Sequence, residues 1–302
     1  MHVLPVERFI LILIATLAVL DAGLIVLNGV EIDVAGYAVL ISCGLLCLAI
    51  GQFYRRIRSE ARIAVPVTAA GLFILFSIAG SIFNYLLLPV RFPTIDELLV
   101  RSDAALGFTW PGFMAWMTQY PFVVRVLGFV YQTSLMQMIA VILILGFSGK
   151  FPQLHRFLLT GIVGSLLAIV CWFFFPAFGT SAVYDVSAIA GLPLVVTSGY
   201  GEELRQLAQL GVTVLTPEKV LGLVAFPSVH TLMACLSVFF LRENRFLFPV
   251  ALCLNLMMLP AIIIHGGHHL SDMLGGFALF GVTYGLTGRL TRVNAGAPVP
   301  AA

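Results

Sequence analysis

Eight apolar stretches of roughly spanning length follow one another along this chain, and no other feature restricts its fold so strongly. They cover residues 9–30, 34–53, 63–90, 122–147, 157–177, 223–241, 246–264 and 272–290. A helix that crosses a bilayer needs about 20 mostly apolar residues. Composition agrees, because the 302 residues are 60% hydrophobic and 10% charged, where soluble domains carry about 25% charged residues. The sequence predicts an all-α, polytopic membrane helical bundle of about eight transmembrane helices. The run from Phe9 to Val30 is long for a signal-peptide core and lacks a small-residue cleavage site, so a membrane helix is expected there. The net charge of +2, without a long basic run, argues against nucleic acid and leaves membrane lipids as the expected partners. Cys43, Cys47, Cys171, Cys235 and Cys253 all fall inside apolar stretches. They read as packing residues, not as a disulfide framework.

Two longer connections, 91–121 and 178–222, interrupt the pattern with proline, glycine and mixed charge. The basic residues choose a side. Arg55, Arg56, Arg58 and Arg62 lie between the second and third stretches, and Lys150 and Arg156 between the fourth and fifth. Arg242 and Arg245 lie between the sixth and seventh, and Arg289 and Arg292 follow the eighth. All are connections on one side, which the positive-inside rule makes cytoplasmic. Both termini are then expected in the cytoplasm. Both long connections are expected outside, carrying acids such as Asp96, Glu97, Asp103, Asp185, Glu202, Glu203 and Glu218. The Ala/Pro/Gly-rich tail, 293–302, is expected to be disordered.

Chemistry-bearing residues concentrate in two short clusters. One is Phe226-Pro227-Ser228-Val229-His230-Thr231, and the other is His265-Gly266-Gly267-His268-His269-Leu270-Ser271-Asp272, followed by Gly275-Gly276. The first opens the sixth stretch and the second opens the eighth. The chain crosses and returns between them, so both reach the same membrane face. His268 and Asp272 are four residues apart, which puts them on one helical face. A carboxylate so placed holds an imidazole in one tautomer and supports its positive form. Helix starts also present free N–H groups and a positive dipole end, which favour phosphate. A single histidine in such a chain can be no more than a link to a neighbouring helix, but an ionisable residue at membrane depth is a functional candidate.

Pro227-Ser228-Val229-His230-Thr231 resembles the second motif of the type-2 phosphatidic acid phosphatase superfamily. Gly267-His268-His269-Leu270-Ser271-Asp272 with Gly276 resembles its third. The run 222–230 and the Gly-Gly-His-His form are most similar to the inositol phosphorylceramide synthase, or aureobasidin-resistance, branch. The close likeness covers residues 220–277, and a six-helix phosphatase-like core from residue 122 fits more loosely. The resemblance implies a metal-independent phosphoric-ester hydrolase or phosphotransferase, with no cofactor and no metal site, acting on a phosphorylated lipid at the extracytoplasmic face. It makes His268 the nucleophile that carries a phosphohistidine, Asp272 its orienting partner, and His230 the proton donor to the leaving oxygen. Ser228 would bind phosphate oxygens.

The chain also departs from that pattern. The first motif, Lys-x6-Arg-Pro, is absent, and the arginine expected six residues before the nucleophile falls at Ile262. A cation is still expected near the phosphoryl group. Arg205 and Lys219, just before the second motif, are the candidates, with Arg125 behind them; solvated loop charge is the alternative for each. The expected organisation is residues 1–121 as three N-terminal helices with an outer connection, 122–292 as the catalytic membrane core, and 293–302 as the tail. Other readings compete. His265-x-x-His268-His269 matches one histidine box of membrane di-iron desaturases, which need about eight ligands where this chain has six histidines. A transporter would account for Asp21 inside the first stretch, which costs about 2.5–3.5 kcal/mol at mid-membrane. A catalytically inactive family member would account for the missing cations. Hydrolysis and transfer are not distinguished.

Overall fold

Long apolar runs satisfy their backbone groups by coiling on themselves, and their ends fall where the chain supplies a cap or a break. The computed structural model describes residues 4–184, 192–195, 198–220 and 222–295. Asp185 and the tail beyond Ala295 lie outside the described residues. The chain forms α1 (Pro5–Asn28), α2 (Val34–Phe53) with a π-helical turn (Tyr54–Arg58), α3 (Ala61–Leu86), α4 (Asp96–Ala105) and α5 (Trp110–Met117). There follow α6 (Pro121–Gln132), α7 (Ser134–Phe147), α8 (Phe151–Phe174), α9 (Thr180–Val183) and α10 (Ser198–Leu210). A 3-10 turn (Pro217–Lys219) precedes α11 (Val229–Leu241), α12 (Leu247–His265) and α13 (Leu270–Ala295). Strands β1 (Glu31–Ile32) and β2 (Val214–Leu215) make a two-residue parallel ladder with Glu31 opposite Val214.

The all-α membrane bundle is therefore present, with helices at all eight apolar stretches. Among the described residues, five helices are long and apolar enough to cross a membrane: α1, α2 with its π turn, α3, α8 and α12. The pair α5 and α6, bent by 115° at Pro121, makes a sixth if counted as one broken span. Helix α13, at the eighth stretch, is not among them, and two further differences from the expected eight have local causes. The fourth stretch divides at Thr133, where the hydroxyls of Thr133 and Ser134 donate to the carbonyls of Val130 and Tyr131 at 2.6 and 2.7 Å. The sixth starts at Val229, not residue 223, because Pro227 and the N-cap Ser228 end the irregular approach there. With 13 residues, α11 is about 20 Å long at 1.5 Å per residue, well short of a hydrocarbon core of about 30 Å.

Position in the bundle separates the N-terminal helices. Only 17% of the spanning window of α1, and the same share of α2, is buried, against 61% for α3. Helix α3 packs on α7 and α8 as well as on α1 and α2. Leu72, Phe76 and Ala79 of α3 join Met138, Ile142, Leu158, Ile162, Leu232 and Leu236 in one apolar core. At the opposite end from the motif helix starts, the buried Arg55 donates to both Glu7 oxygens at 2.6 and 2.7 Å, and His155 Nε2 lies 3.3 Å from the same carboxylate. This group ties α1, the π turn and α8 together. Charges buried this deeply persist only when paired and hydrogen-bonded.

Candidate active site

The second motif builds the start of α11. Ser228 is fully buried, and its Oγ accepts from the Thr231 N–H at 3.3 Å as the N-cap. His230 therefore stands in the first turn of that helix. The third motif builds the link from α12 to α13. Gly267 has φ +60°, a left-handed conformation that costs a side-chain-bearing residue about 1–2 kcal/mol. Its carbonyl accepts from the Thr180 N–H at 2.7 Å, which brings α9 onto this loop. Gly276 answers to packing. A Cβ there would stand 2.6 Å from both the Ser228 carbonyl oxygen and Thr231 Cβ, so a glycine lets α13 lie against the start of α11.

These contacts bring the two clusters together. His268 Nδ1 and Asp272 Oδ2 are 3.2 Å apart, both residues being buried. The same oxygen accepts from the His269 N–H at 2.8 Å, and the Asp272 carbonyl accepts from the Ser228 N–H at 3.0 Å. A carboxylate can only accept. The proton of His268 therefore belongs on Nδ1, and Nε2 is left with a free lone pair. The rings of His230 and His268 have centroids 5.9 Å apart at 70°. Tyr131 of α6 stacks on His230, at 4.5 Å and 24°. The arrangement offers one nucleophilic nitrogen, a second imidazole for proton transfer, and a carboxylate that supports positive charge on the first.

Helix α4 supplies a layer that sequence reading left among the outer acids. Asp96 and Asp103 are seven residues apart, both buried, while Glu97 and Arg101 between them are exposed. Asp103 accepts from the Leu270 N–H at 2.9 Å, the Ser271 N–H at 2.8 Å and the Ser271 hydroxyl at 2.6 Å. It thereby satisfies the free donors at the start of α13. Asp96 Oδ1 accepts from the N–H groups of Phe178 and Gly179, both at 2.9 Å, and holds the approach to α9. Between them lies the buried His269 ring, with Nδ1 3.5 Å from Asp103 and Nε2 4.0 Å from Asp96. Burial pushes the Asp96 carboxyl above the usual carboxylate range, although those two N–H groups and His269 pull it down. A spacing of seven puts both acids on one helical face, and that was the available signal. Tyr131 carried no local signal.

The remaining histidine of the loop has a structural task. His265 Nε2 donates to the Val124 carbonyl at 2.8 Å, and Nδ1 accepts from the Val195 N–H at 3.3 Å. Both ring nitrogens are thus occupied, which fastens the end of α12 to α6. Ile262 is fully buried in an apolar cluster with Met114, Leu127 and Met258.

His230, His268, Asp272 and Ser228 form one group. Among the described residues no hydrogen bond or ion pair joins Arg205 or Lys219 to it. Arg205 on α10 donates to Glu202 Oε2 at 2.9 and 3.2 Å and to the Ala182 carbonyl at 3.2 Å, with half of its side chain exposed. These bonds hold Glu202 below the usual carboxylate range. Lys219 ends the 3-10 turn with an exposed side chain, and Arg125 on α6 is likewise exposed. Helix α10 packs on α9. The Arg205 bond to Ala182 therefore lies two residues along the chain from Thr180, whose buried Oγ1 has no hydrogen-bond partner among the described residues. Among those residues no group of three or more His, Cys, Asp or Glu side chains is arranged to hold a metal ion.

The sequence model of the PAP2 superfamily matches residues 97–286, a span that takes in α4 after its first residue, both motifs and most of α13. No curated protein and no solved structure matches the chain.

Proposed function

The chain belongs to the PAP2 superfamily, and from that premise we propose that it is a membrane-embedded lipid phosphatase or lipid phosphotransferase working through a phosphohistidine at the extracytoplasmic face. The observation that carries this reading is the hydrogen bond between His268 Nδ1 and Asp272, with His230 facing the same ring. His268 Nε2 attacks phosphorus, a P–N bond forms, and the bond from phosphorus to the lipid oxygen breaks. His230 delivers a proton to that oxygen, a step typically contributing about 10²–10⁴-fold. Water or a lipid hydroxyl then attacks the phosphohistidine and gives its proton to His230. The P–N bond breaks and His268 is regenerated. Asp272 keeps the Nδ1 proton in place and balances the charge that develops on the ring.

Ser228, the backbone N–H groups at the start of α11 and the Thr180 hydroxyl, unpartnered among the described residues, are suited to phosphate oxygens, with Arg205 and Lys219 as the cations of the connection that precedes the motif. The Gly-Gly-His-His loop and the run 222–230 favour the inositol phosphorylceramide synthase branch, in which the acceptor is a lipid hydroxyl. The face is assigned from the arginine and lysine asymmetry. The test is incubation of the purified protein, with EDTA present, with a panel of lipid phosphates and phospholipids. Free phosphate, new lipid products and acid-labile phosphate on the protein are measured. Turnover and acid-labile label that both vanish in His268→Ala, and turnover that vanishes in His230→Ala, are expected in folded protein. Parental activity in either variant overturns the mechanism. Transport without turnover would favour the transporter, and neither activity would mark an inactive family member.

A further inference from the structure

A cavity of about 310 Å³ runs between α3, α7, α8 and α11 and ends at His230. Small-molecule sites begin at about this size. Phe73, Phe76, Leu158, Ile162 and Leu236 give it an apolar lining. Ser81 and Asn84, from the last two turns of α3, share that lining with the 222–224 segment and His230. The Gly222 carbonyl there already accepts from the Tyr200 hydroxyl at 2.7 Å. Asn84 is 8% exposed, and its Oδ1 has no hydrogen-bond partner among the described residues. Leaving a buried carbonyl oxygen unpaired is costly, so Asn84 calls for a hydrogen-bond donor from within the cavity. A guest that fills it needs an apolar body and one hydrogen-bond donor at the end beside His230. Free phosphate lacks the first, and a plain hydrocarbon lacks the second.

We infer that this cavity is a binding site for a long-chain lipid alcohol, whose hydroxyl donates to Asn84 Oδ1 beside His230 while its chain lies along α3. The placement rests on the phosphoryl-transfer reading for its meaning, since a hydroxyl held there is the group that accepts phosphate in transfer or leaves in hydrolysis. In transfer, the hydroxyl oxygen forms the new P–O bond, its proton passes to His230, and the P–N bond to His268 breaks. Helix α3 lies wholly before the 97–286 match. The wall that selects the lipid therefore comes from outside the segment that identifies the family.

The test measures binding without turnover. A hexadecanol carrying a mid-chain diazirine, and its methyl ether, are offered to the protein in lipid nanodiscs, and labelled peptides are mapped. The parent is expected to prefer the alcohol at least fivefold, with label in 73–84 and 229–236. Asn84→Leu should bind alcohol and ether alike. Gly161→Leu should lose the label, because a Cβ at Gly161 fits 3.4 Å from Leu236 and the longer side chain fills the cavity. Equal binding of alcohol and ether by the parent, or label elsewhere, overturns the inference. The same binding measured in His268→Ala separates the two readings. A protein that selects the alcohol but turns over no lipid phosphate keeps the site and loses the proposed reaction.

Discussion

Removing the Asp103 carboxylate tests whether α4 holds the start of the helix that carries Asp272. Asp103 is 3% exposed and accepts three hydrogen bonds, at 2.9, 2.8 and 2.6 Å, all from the first two residues of α13. Hydrogen bonds to a charged group contribute about 1.5–3 kcal/mol each, and unpaired buried donors carry a desolvation cost of about 1–3 kcal/mol. Such terms are not additive within one cluster, so Asp103→Ala should cost about 3–5 kcal/mol in total. The loss falls two residues from His268 and one from Asp272. A displacement near 1 Å at a reacting group costs about 10²-fold. Asp103→Ala should therefore lower kcat by about 100-fold and also lower the thermal midpoint in nanodiscs. Asp103→Asn keeps one acceptor oxygen, which can serve the two Ser271 donors that share Oδ1, and should fall between, with about a tenfold loss. Glu97 on the same helix is 88% exposed and paired only with the exposed Arg101 at 3.7 Å, so Glu97→Ala should change stability by less than about 0.5 kcal/mol. If Asp103→Ala matches Glu97→Ala in both kcat and thermal midpoint, α4 does not position the site and the reasoning is refuted.

Arg205→Ala or Lys219→Ala should lower kcat/KM more than tenfold if the cation folds over the phosphate; parental values in both mean that backbone groups hold it. Glu202 holds Arg205 in place, so Glu202→Ala is expected to alter KM whenever Arg205→Ala does. With Cys43, Cys47, Cys171, Cys235 and Cys253 replaced, a cysteine at Glu202 should react with an impermeant thiol reagent on intact cells and one at Ser59 should not; the reverse pattern inverts the orientation. Gly276→Ala should destabilise by about 1–3 kcal/mol through overpacking against Ser228 and Thr231. Gly281→Ala, where a Cβ meets nothing within 4 Å, serves as its control, and equal thermal midpoints would remove the packing argument.

The sequence by itself determined what local rules control. A run of about 20 apolar residues states its own solvent, so the helical membrane bundle was legible without any contact being known. Each motif was legible for the same reason. His268 and Asp272 are four residues apart, and Ser228 and His230 two, so helix geometry alone joins the members of each cluster. Sequence also showed that the usual cations were missing, but not what stands in their place. Tertiary structure decided everything that depends on chain segments meeting. The bond from Leu270 to Asp103 spans 167 residues; the spacing of seven puts Asp96 and Asp103 on one helical face, but only the folded chain turns that face inward while Glu97 stays exposed. The stacking of Tyr131 on His230, the cavity wall contributed by α3, and the capture of His265 by Val124 are contacts of the same kind. The shortness of α11 and the 115° bend between α5 and α6 also escaped hydropathy, which counts apolar residues but does not see where a proline and a cap break the coil. Local spacing selects the reacting groups, and long-range packing selects what surrounds them, because a side chain's burial and partners belong to the neighbours that the folded chain brings to it.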